Sequence, residues 1–446
     1  VVVLTTKKAV CNVYADKNSD SVVPTIGDDL KVENDTLTVT LNDNAMLGSY
    51  GLSSSSETEP EEWFSIPTTP YTLSTPITSD TPYLWVKDAA GNITKSNEIS
   101  FGPYGWETIL INNGNGATTV DAAKAYIEGR TTSTAPNFAS TATTNEGMFA
   151  ADDDYTSTTG MKSYYFRGAV NNNWVKFGQN STGNYIYWRI IRINGDGSIR
   201  MIYSGTTAPT SSTATVMTGT GTQINGTTYR FYSSYNIPTY VGYMFTEGQQ
   251  HGNGTPSTIK TAIDNWYKTT TLETDATTKS LVADQIFCND RSATASSSGT
   301  PGEISGSMST STTYYYGAYV RLVTNKGPKL TCTTASDKFT VNTSNGNGAL
   351  TYPVGLITAD EVAMAGGVAG TSNSSYYLYT NQYYWSGSPS NFNSSTARAN
   401  GVRVYSSGSL YYYSVTGTHG ARPVISLSSK AKLSGDGTYN DVYTVS

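Results

Sequence analysis

The stretch Tyr185-Ile186-Tyr187-Trp188-Arg189-Ile190-Ile191-Arg192-Ile193, followed by Asn194-Gly195-Asp196-Gly197 and Ser198-Ile199-Arg200-Met201-Ile202-Tyr203, decides how most of this 446-residue chain reads. β-Branched and aromatic residues fill both runs and a Gly-rich tetrapeptide separates them, so the stretch predicts a β-hairpin. An EF-hand reading of Asn194-Gly195-Asp196 fails, because the ligand spacing and the closing Glu at the twelfth position are missing. Helical patterns flank the hairpin. Val120, Ala123 and Ile127 recur at helical spacing between Thr119 and Arg130. Thr255-Pro256 predicts a cap and first-turn proline for a helix with Ile259, Ala262, Ile263, Trp266 and Tyr267 on one face. Thr358-Ala359-Asp360-Glu361 predicts a capping box and a short helix that Gly366-Gly367 ends. The Ser/Thr/Gly tract 206–222 reads as a surface loop and 375–446 as short strands and turns. From residue 104 onward the order of elements is that of an α+β domain.

Upstream, the pattern changes to strands alone. Leu37-Thr38-Val39-Thr40-Leu41 alternates, and Tyr83-Leu84-Trp85-Val86-Lys87 runs into Asp88-Ala89-Ala90-Gly91-Asn92 and then Ile93-Thr94, a second hairpin signal. Asp88 and Asn92 invite a calcium reading, but an isolated Asp/Asn turn is far more often an Asx turn. Residues 1–27 hold two β-branched runs and too little sequence for a core. They read as outer strands of a neighbouring module or, through residues 1–14, as a strand for self-association with another subunit. The expected division is 1–27 as an N-terminal strand segment, 28–103 as a β-sandwich, 104–144 as linker and short helix, and 145–446 as the large domain.

Composition narrows the function. Lys plus Arg (28) and Asp plus Glu (34) give a net charge of −6, which excludes the basic footprint of a nucleic-acid binder or a membrane-surface helix. No apolar run approaches the ~20 residues that span a bilayer, so no membrane insertion is expected in this chain. Two histidines, His251 and His419, and three cysteines are too few for a zinc cluster and a poor basis for a histidine-dependent hydrolase. No cofactor and no metal are expected. The carboxylates Asp152, Asp153, Asp154, Asp284, Asp290, Asp360 and Glu361 contain the residue type a glycosidase pair needs, but Asp360 and Glu361 are better explained by helix capping and the 152–154 run by a solvated loop. A non-enzyme is the expectation. Cys288 and Cys332, 44 residues apart in one domain, are expected to be bridged, the alternative being two reduced, buried thiols. Cys11 is then left unpaired or bonded to another copy. The chain opens Val1-Val2-Val3 without Met, as a processed product or fragment would, and its Ser/Thr/Asn/Gly/Tyr-rich, Lys-poor composition suits an extracellular, cell-surface or virion-surface location.

Tyr83 to Asn92 resembles the strand and turn of bacterial immunoglobulin-like modules. Four later stretches resemble another family: Tyr164-Tyr165-Phe166-Arg167-Gly168 with Asn172-Asn173-Trp174-Val175-Lys176-Phe177; Trp188 to Gly197; Tyr384-Trp385-Ser386 with Ser388-Pro389; and Gly420-Ala421-Arg422-Pro423-Val424-Ile425-Ser426-Leu427. Together they look like C-type-lectin-fold surface proteins of gut-type Gram-positive bacteria and their phages, above all the variable proteins of diversity-generating retroelements. The resemblance implies an all-β immunoglobulin-like sandwich followed by an α+β C-type-lectin-like display domain. It also implies that the Trp188-Arg189 strand and the final Arg-Pro-Val-Ile strand are shared scaffold, with the segment between Trp385 and Arg422 facing a ligand. None of the Glu-Pro-Asn, Gln-Pro-Asp and Trp-Asn-Asp signatures of calcium-dependent sugar binding occurs in residues 104–446, and the C-terminal 114 residues contain no Cys, so the reactive pair of formylglycine-generating oxidases is missing there.

The segment can be tested for bias. From Tyr376 to His419 there are 9 Tyr in 44 residues, against 25 in the other 402, so the enrichment is local. Tyr offers a large, rigid, amphipathic contact, while Ser and Asn adapt their hydrogen bonds, the physics of antibody paratopes. The expected ligand-binding positions are Asn391, Asn393, Ser394, Asn400, Tyr405, Ser406, Ser407, Tyr411, Tyr412, Tyr413 and His419, and the expected partner is a surface protein or glycan of another cell. Parity alone does not decide which of the consecutive tyrosines faces outward, because Leu410 shares the side of Tyr412 and Val415 that of Tyr411 and Tyr413. The alternative function is a structural subunit of an extracellular filament or tail fibre built by exchange of the N-terminal strand.

Overall fold

Alternation builds the first part of the chain. In Thr36–Asn42 every second side chain, Leu37, Val39 and Leu41, is buried, and the register Val39↔Leu73 sets that face against Tyr71–Pro76. The computed structural model describes residues 20–33, 36–78, 80–99, 103–153 and 161–446, and the chain divides into two units, Val1–Pro103 and Tyr104–Ser446. Residues 1–14 and Cys11, the expected self-association strand and odd thiol, lie outside the described residues, as does Asp154.

The first unit is two four-stranded antiparallel sheets. One holds Thr25–Ile26, Lys31–Glu33, Thr36–Asn42 and Tyr71–Pro76; the other holds Phe64–Ser65, Leu47–Ser53, Tyr83–Asp88 and Ile93–Lys95. Leu37, Val39 and Leu73 of the first sheet share one apolar cluster with Leu47, Leu84 and Val86 of the second. The hairpin turn is closed by Asp88, whose Oδ1 accepts the backbone N–H groups of Gly91 (2.6 Å) and Asn92 (2.8 Å), an Asx-type turn. Gly91 stands at φ +98°, where a Cβ would be strained.

In the second unit the predicted hairpin forms Tyr185–Ile193 and Ile199–Tyr203. It lies at the middle of a ten-stranded sheet. Ile199–Tyr203 pairs with Tyr185–Ile193 on one side and with Pro423–Leu427 on the other, in the register Ile199↔Leu427 and Met201↔Ile425. Trp188 is fully buried, donates its indole N–H to the Phe177 carbonyl at 2.8 Å, and meets Tyr203 and Trp266 edge-on. The helix Thr258–Tyr267 brings Ile259, Ile263, Trp266 and Tyr267 to this core, as its spacing predicts. Its cap differs from the expectation. Ser257 accepts from the Lys260 N–H, and Thr255–Pro256 is instead a short strand against Met244–Phe245, because Ser offers the side-chain oxygen that Pro lacks.

Residues 104–144 hold the expected helix, and the part expected to be linker holds another. The two are Gly105–Asn113 and Val120–Ser133, whose Ile109, Leu110, Ala123 and Ile127 are buried in the same core. Thr119 caps the second through the Ala122 N–H, and Gly105 N–H donates to the Ala431 carbonyl, which ties the first helix to the C-terminal strands. Cys288 and Cys332 form a disulfide with Cα atoms 5.8 Å apart, packed with Phe149, Tyr165, Leu330 and Met364. Among the described residues no helix is long and apolar enough to cross a membrane.

Candidate binding surface

The Tyr-rich segment folds as a meander: Tyr384–Asn393, Arg398–Val404 and Leu410–Ser414, antiparallel in that order. Tyr314–Tyr316 pairs with the far end of the first strand. Among named strands the last, Leu410–Ser414, pairs only with Arg398–Val404, so it is an edge. That position explains its exposure. Leu410 is buried on the core side, whereas Tyr411, Tyr412 and Tyr413 are 47%, 42% and 44% exposed. Register resolves their sides. Tyr411 stands opposite Arg403 and Tyr413 opposite Gly401, while Tyr412 stands opposite Val402. The Tyr411 and Tyr412 rings nevertheless stack at the rim, 4.9 Å apart.

The other expected positions fall into two groups. Tyr405, Ser406 and Ser407 are half-buried in the turn between the last two strands, which the Tyr405 N–H to Ser409 carbonyl bond closes. Asn393 and Ser394 are half-buried; Asn393 Oδ1 caps the next turn through the Ser395 N–H, and Ser394 bonds Thr313. Asn391, Asn400 and His419 are buried, which corrects their expected place on the contact surface. Asn391 and Asn400 face each other across paired strands, and His419 is wedged against Tyr383, Trp385 and Tyr413 at ring distances of 5.6, 4.6 and 5.1 Å.

Behind this rim lies a residue the sequence reading passed over. Arg403 is only 6% exposed, and its guanidinium sits 4.0 Å from the Tyr413 ring, 4.7 Å from Tyr383 and 5.0 Å from Tyr405. Its Nη1 donates to His419 Nε2 at 2.8 Å, which fixes the proton of that imidazole on Nδ1, since a guanidinium only donates. Burial first, and the Arg403 charge second, bring the His419 pKa down to about 3, so the imidazole is neutral. Arg403 Nε is buried without an acceptor, and no carboxylate among the described residues pairs with this cation. The available signal was the single charge in Gly401-Val402-Arg403-Val404-Tyr405, whose period puts Arg403 on the side of Tyr405.

The other buried arginines are closed. Glu361 accepts from Arg192 at 3.0 Å, lies 2.5 Å from Arg200 and accepts the Thr358 N–H at 2.9 Å, so the predicted capping-box residue also neutralises two cations. Burial opposes ionisation of Glu361, and the two arginines overcome it and hold its pKa below the usual value. Asp360 takes Arg321 in a two-point grip at 2.8 and 2.9 Å, and Asp290 takes the same guanidinium at 2.6 Å. Arg189 has no carboxylate but donates to Asn173 Oδ1 and to the Val170 and Thr215 carbonyls, and burial pulls its pKa down to about 9.

These pairings bear on chemistry. Asp284 accepts the N–H groups of Val341 and Asn342, so the acids weighed for a glycosidase pair are committed to arginines or turns wherever they are described, apart from the exposed Asp152, which pairs with Lys162. His251 Nδ1 lies 2.9 Å from Asp337, but His251 Nε2 is buried and has no partner among the described residues, so no described nucleophile completes that pair. The hollow of about 540 Å³ between Asn180, Tyr203, Gln223, Tyr229, Asn265 and Trp266 is lined by no acid, His, Lys or Arg. In the first unit, Asp20, Asp43 and Asp88 bring carboxylate oxygens within 4.8 Å of one another, but both oxygens of Asp88 already accept N–H donors of Gly91 and Asn92. Compared with family models, curated proteins and solved structures, the chain finds no match.

Proposed function

We propose that this chain is a non-catalytic extracellular binding protein, in which an immunoglobulin-like module carries a C-type-lectin-like display domain of the retroelement-diversified kind. It engages a surface protein or glycan of another cell through the Tyr-rich edge of its C-terminal sheet. The observation that carries the reading is the contrast along one short strand: Leu410 and Ser414 are buried anchors, and the three tyrosines between them are all exposed. Rigid aromatic rings held out from a fixed backbone lose little entropy on contact, which is what a paratope needs. Two further observations support it. The disulfide suits an oxidising compartment, and the carboxylates a hydrolase would use are taken by arginines.

The test is a panel of cell-surface proteins and glycans screened with the full chain and with Tyr411→Ala, Tyr412→Ala, Tyr413→Ala and the triple variant, folding being followed by circular dichroism. A partner lost on substitution, with the fold intact, is the expected result. Binding that survives the triple substitution overturns the reading.

A further inference from the structure

We propose that Arg403 is the anchor of an anion site, and that the group it takes is a carboxylate on the surface of a partner protein. The inference deepens the display reading, on which its choice of partner rests. Three observations lead to it. Arg403 is a cation withdrawn from water, and an uncompensated buried charge is costly unless something closes it. Its one hydrogen-bond partner, His419, is neutral. Its remaining company is aromatic: the rings of Tyr383, Tyr405 and Tyr413 attract the guanidinium through their faces but give its buried Nε–H no acceptor. The other buried arginines of the unit reach carboxylates or carbonyls; this one, under the exposed edge, does not.

A second feature favours a protein over an acidic sugar. Tyr411 and Tyr412 also line a cavity of about 140 Å³ with Ala318, Leu322, Val402 and Leu410, which by register lies on the side of the edge strand opposite Arg403. Its walls are almost entirely apolar, so it suits an aliphatic side chain rather than a hydroxylated ring. A protein segment folded over the exposed edge meets both needs: a carboxylate accepts from the guanidinium on one side of the strand, and an aliphatic side chain fills the cavity on the other.

The experiment uses the full chain labelled with ¹⁵N-arginine, the Arg403 guanidinium signals being assigned by their absence in Arg403→Lys. It is titrated with sodium acetate, with a capped Glu-Leu dipeptide amide and with N-acetylneuraminic acid, all against sodium chloride at equal ionic strength. Acetate is expected to shift the Arg403 signals saturably, with a dissociation constant on the order of 1 to 100 mM for so small a ligand. The dipeptide should bind at least as tightly as acetate and more tightly than the sugar acid, its carboxylate reaching the same guanidinium. Arg403→Lys, which keeps the charge and loses the fork, should bind acetate several-fold more weakly. No saturable shift with acetate or dipeptide overturns the anion site, and tighter binding of the sugar acid overturns the protein assignment. Should the Lys variant fail to fold, assignment through selective relaxation by a carboxylated nitroxide leaves the parent titration decisive. The two proposals fail separately: acetate binding without any Tyr-dependent partner sinks display alone, and a Tyr-dependent partner without acetate binding sinks the anion site alone.

Discussion

Glu361 with Arg192 and Arg200, and Arg403 with His419, are two ways of burying a guanidinium in the same unit. Around Glu361 every charge has an opposite within 3.0 Å, supplied from segments more than a hundred residues apart, so the cluster fastens the 359–365 helix to the central hairpin. Around Arg403 the shell is aromatic and neutral and lies under an exposed edge. The difference separates a charge spent on architecture from one left open toward the surface. A carboxylate partner makes removal of either member expensive, because a charge is orphaned; around Arg403 only the neutral His419 Nε2 loses a donor when the cation goes.

The comparison breaks most visibly at Glu361. Glu361→Gln is expected to cost the second unit about 3 to 5 kcal/mol, as breaking a buried ion pair does, read from denaturant unfolding. A loss below about 1 kcal/mol would make the cluster ornamental. Acid titration tests the other side. The folded His419 pKa of about 3 lies below the unfolded 6.5, so its contribution is fully present above pH 6.5 and is lost as pH falls toward 3, while the unfolded chain gains a proton the native one refuses. His419→Gln should therefore remove about 2 kcal/mol of the parent's stability loss between pH 7 and pH 5. Identical pH profiles for the two proteins would show the imidazole free to charge. Arg403→Met sharpens the contrast directly: stability within about 1 kcal/mol of the parent is expected, since the lost cation–π contacts and the hydrogen bond to His419 are offset by relief of the desolvation cost. A penalty equal to that of Glu361→Gln would class Arg403 with the architectural arginines. Smallest of all, Tyr412→Ala should shift stability by less than about 1 kcal/mol, because the ring is exposed at an edge.

What the sequence made legible was local. The 185–203 hairpin, the capping box at Thr358 and the apolar face of the 258–267 helix follow from period and end signals spanning a few residues, and the cysteine pair from shared domain and composition. The spacing of Val120, Ala123 and Ile127 marks the second helix of 104–144, but the first, Gly105–Asn113, is missed because it ends in a linker-like Gly114-Asn115-Gly116 that hides Ile109 and Leu110. The second role of Glu361 was hidden for another reason: Arg192 lies 169 residues away, and no periodicity encodes such a pairing. At the candidate surface, composition marked the segment but not depth. Asn391 and Asn400 have the residue type of a contact position and the register of a buried one, and register across three strands is set by pairing partners that a single stretch does not contain.

The withdrawal of arginines has a kinetic consequence. Arg167, Arg189, Arg192, Arg200, Arg291 and Arg422 are among the largest fully buried side chains, so six of the 28 Lys and Arg of a chain only 14% charged are withdrawn from solvent. A surface clothed in hydroxyls, amides and phenols casts a weak field, and a lone guanidinium under a rim of rings adds a short-range grip rather than long-range guidance. Encounters with a partner should proceed at the unsteered rate of roughly 10⁵ to 10⁶ M⁻¹s⁻¹ and change little with salt, leaving residence time as the quantity that side-chain variation along the edge would tune.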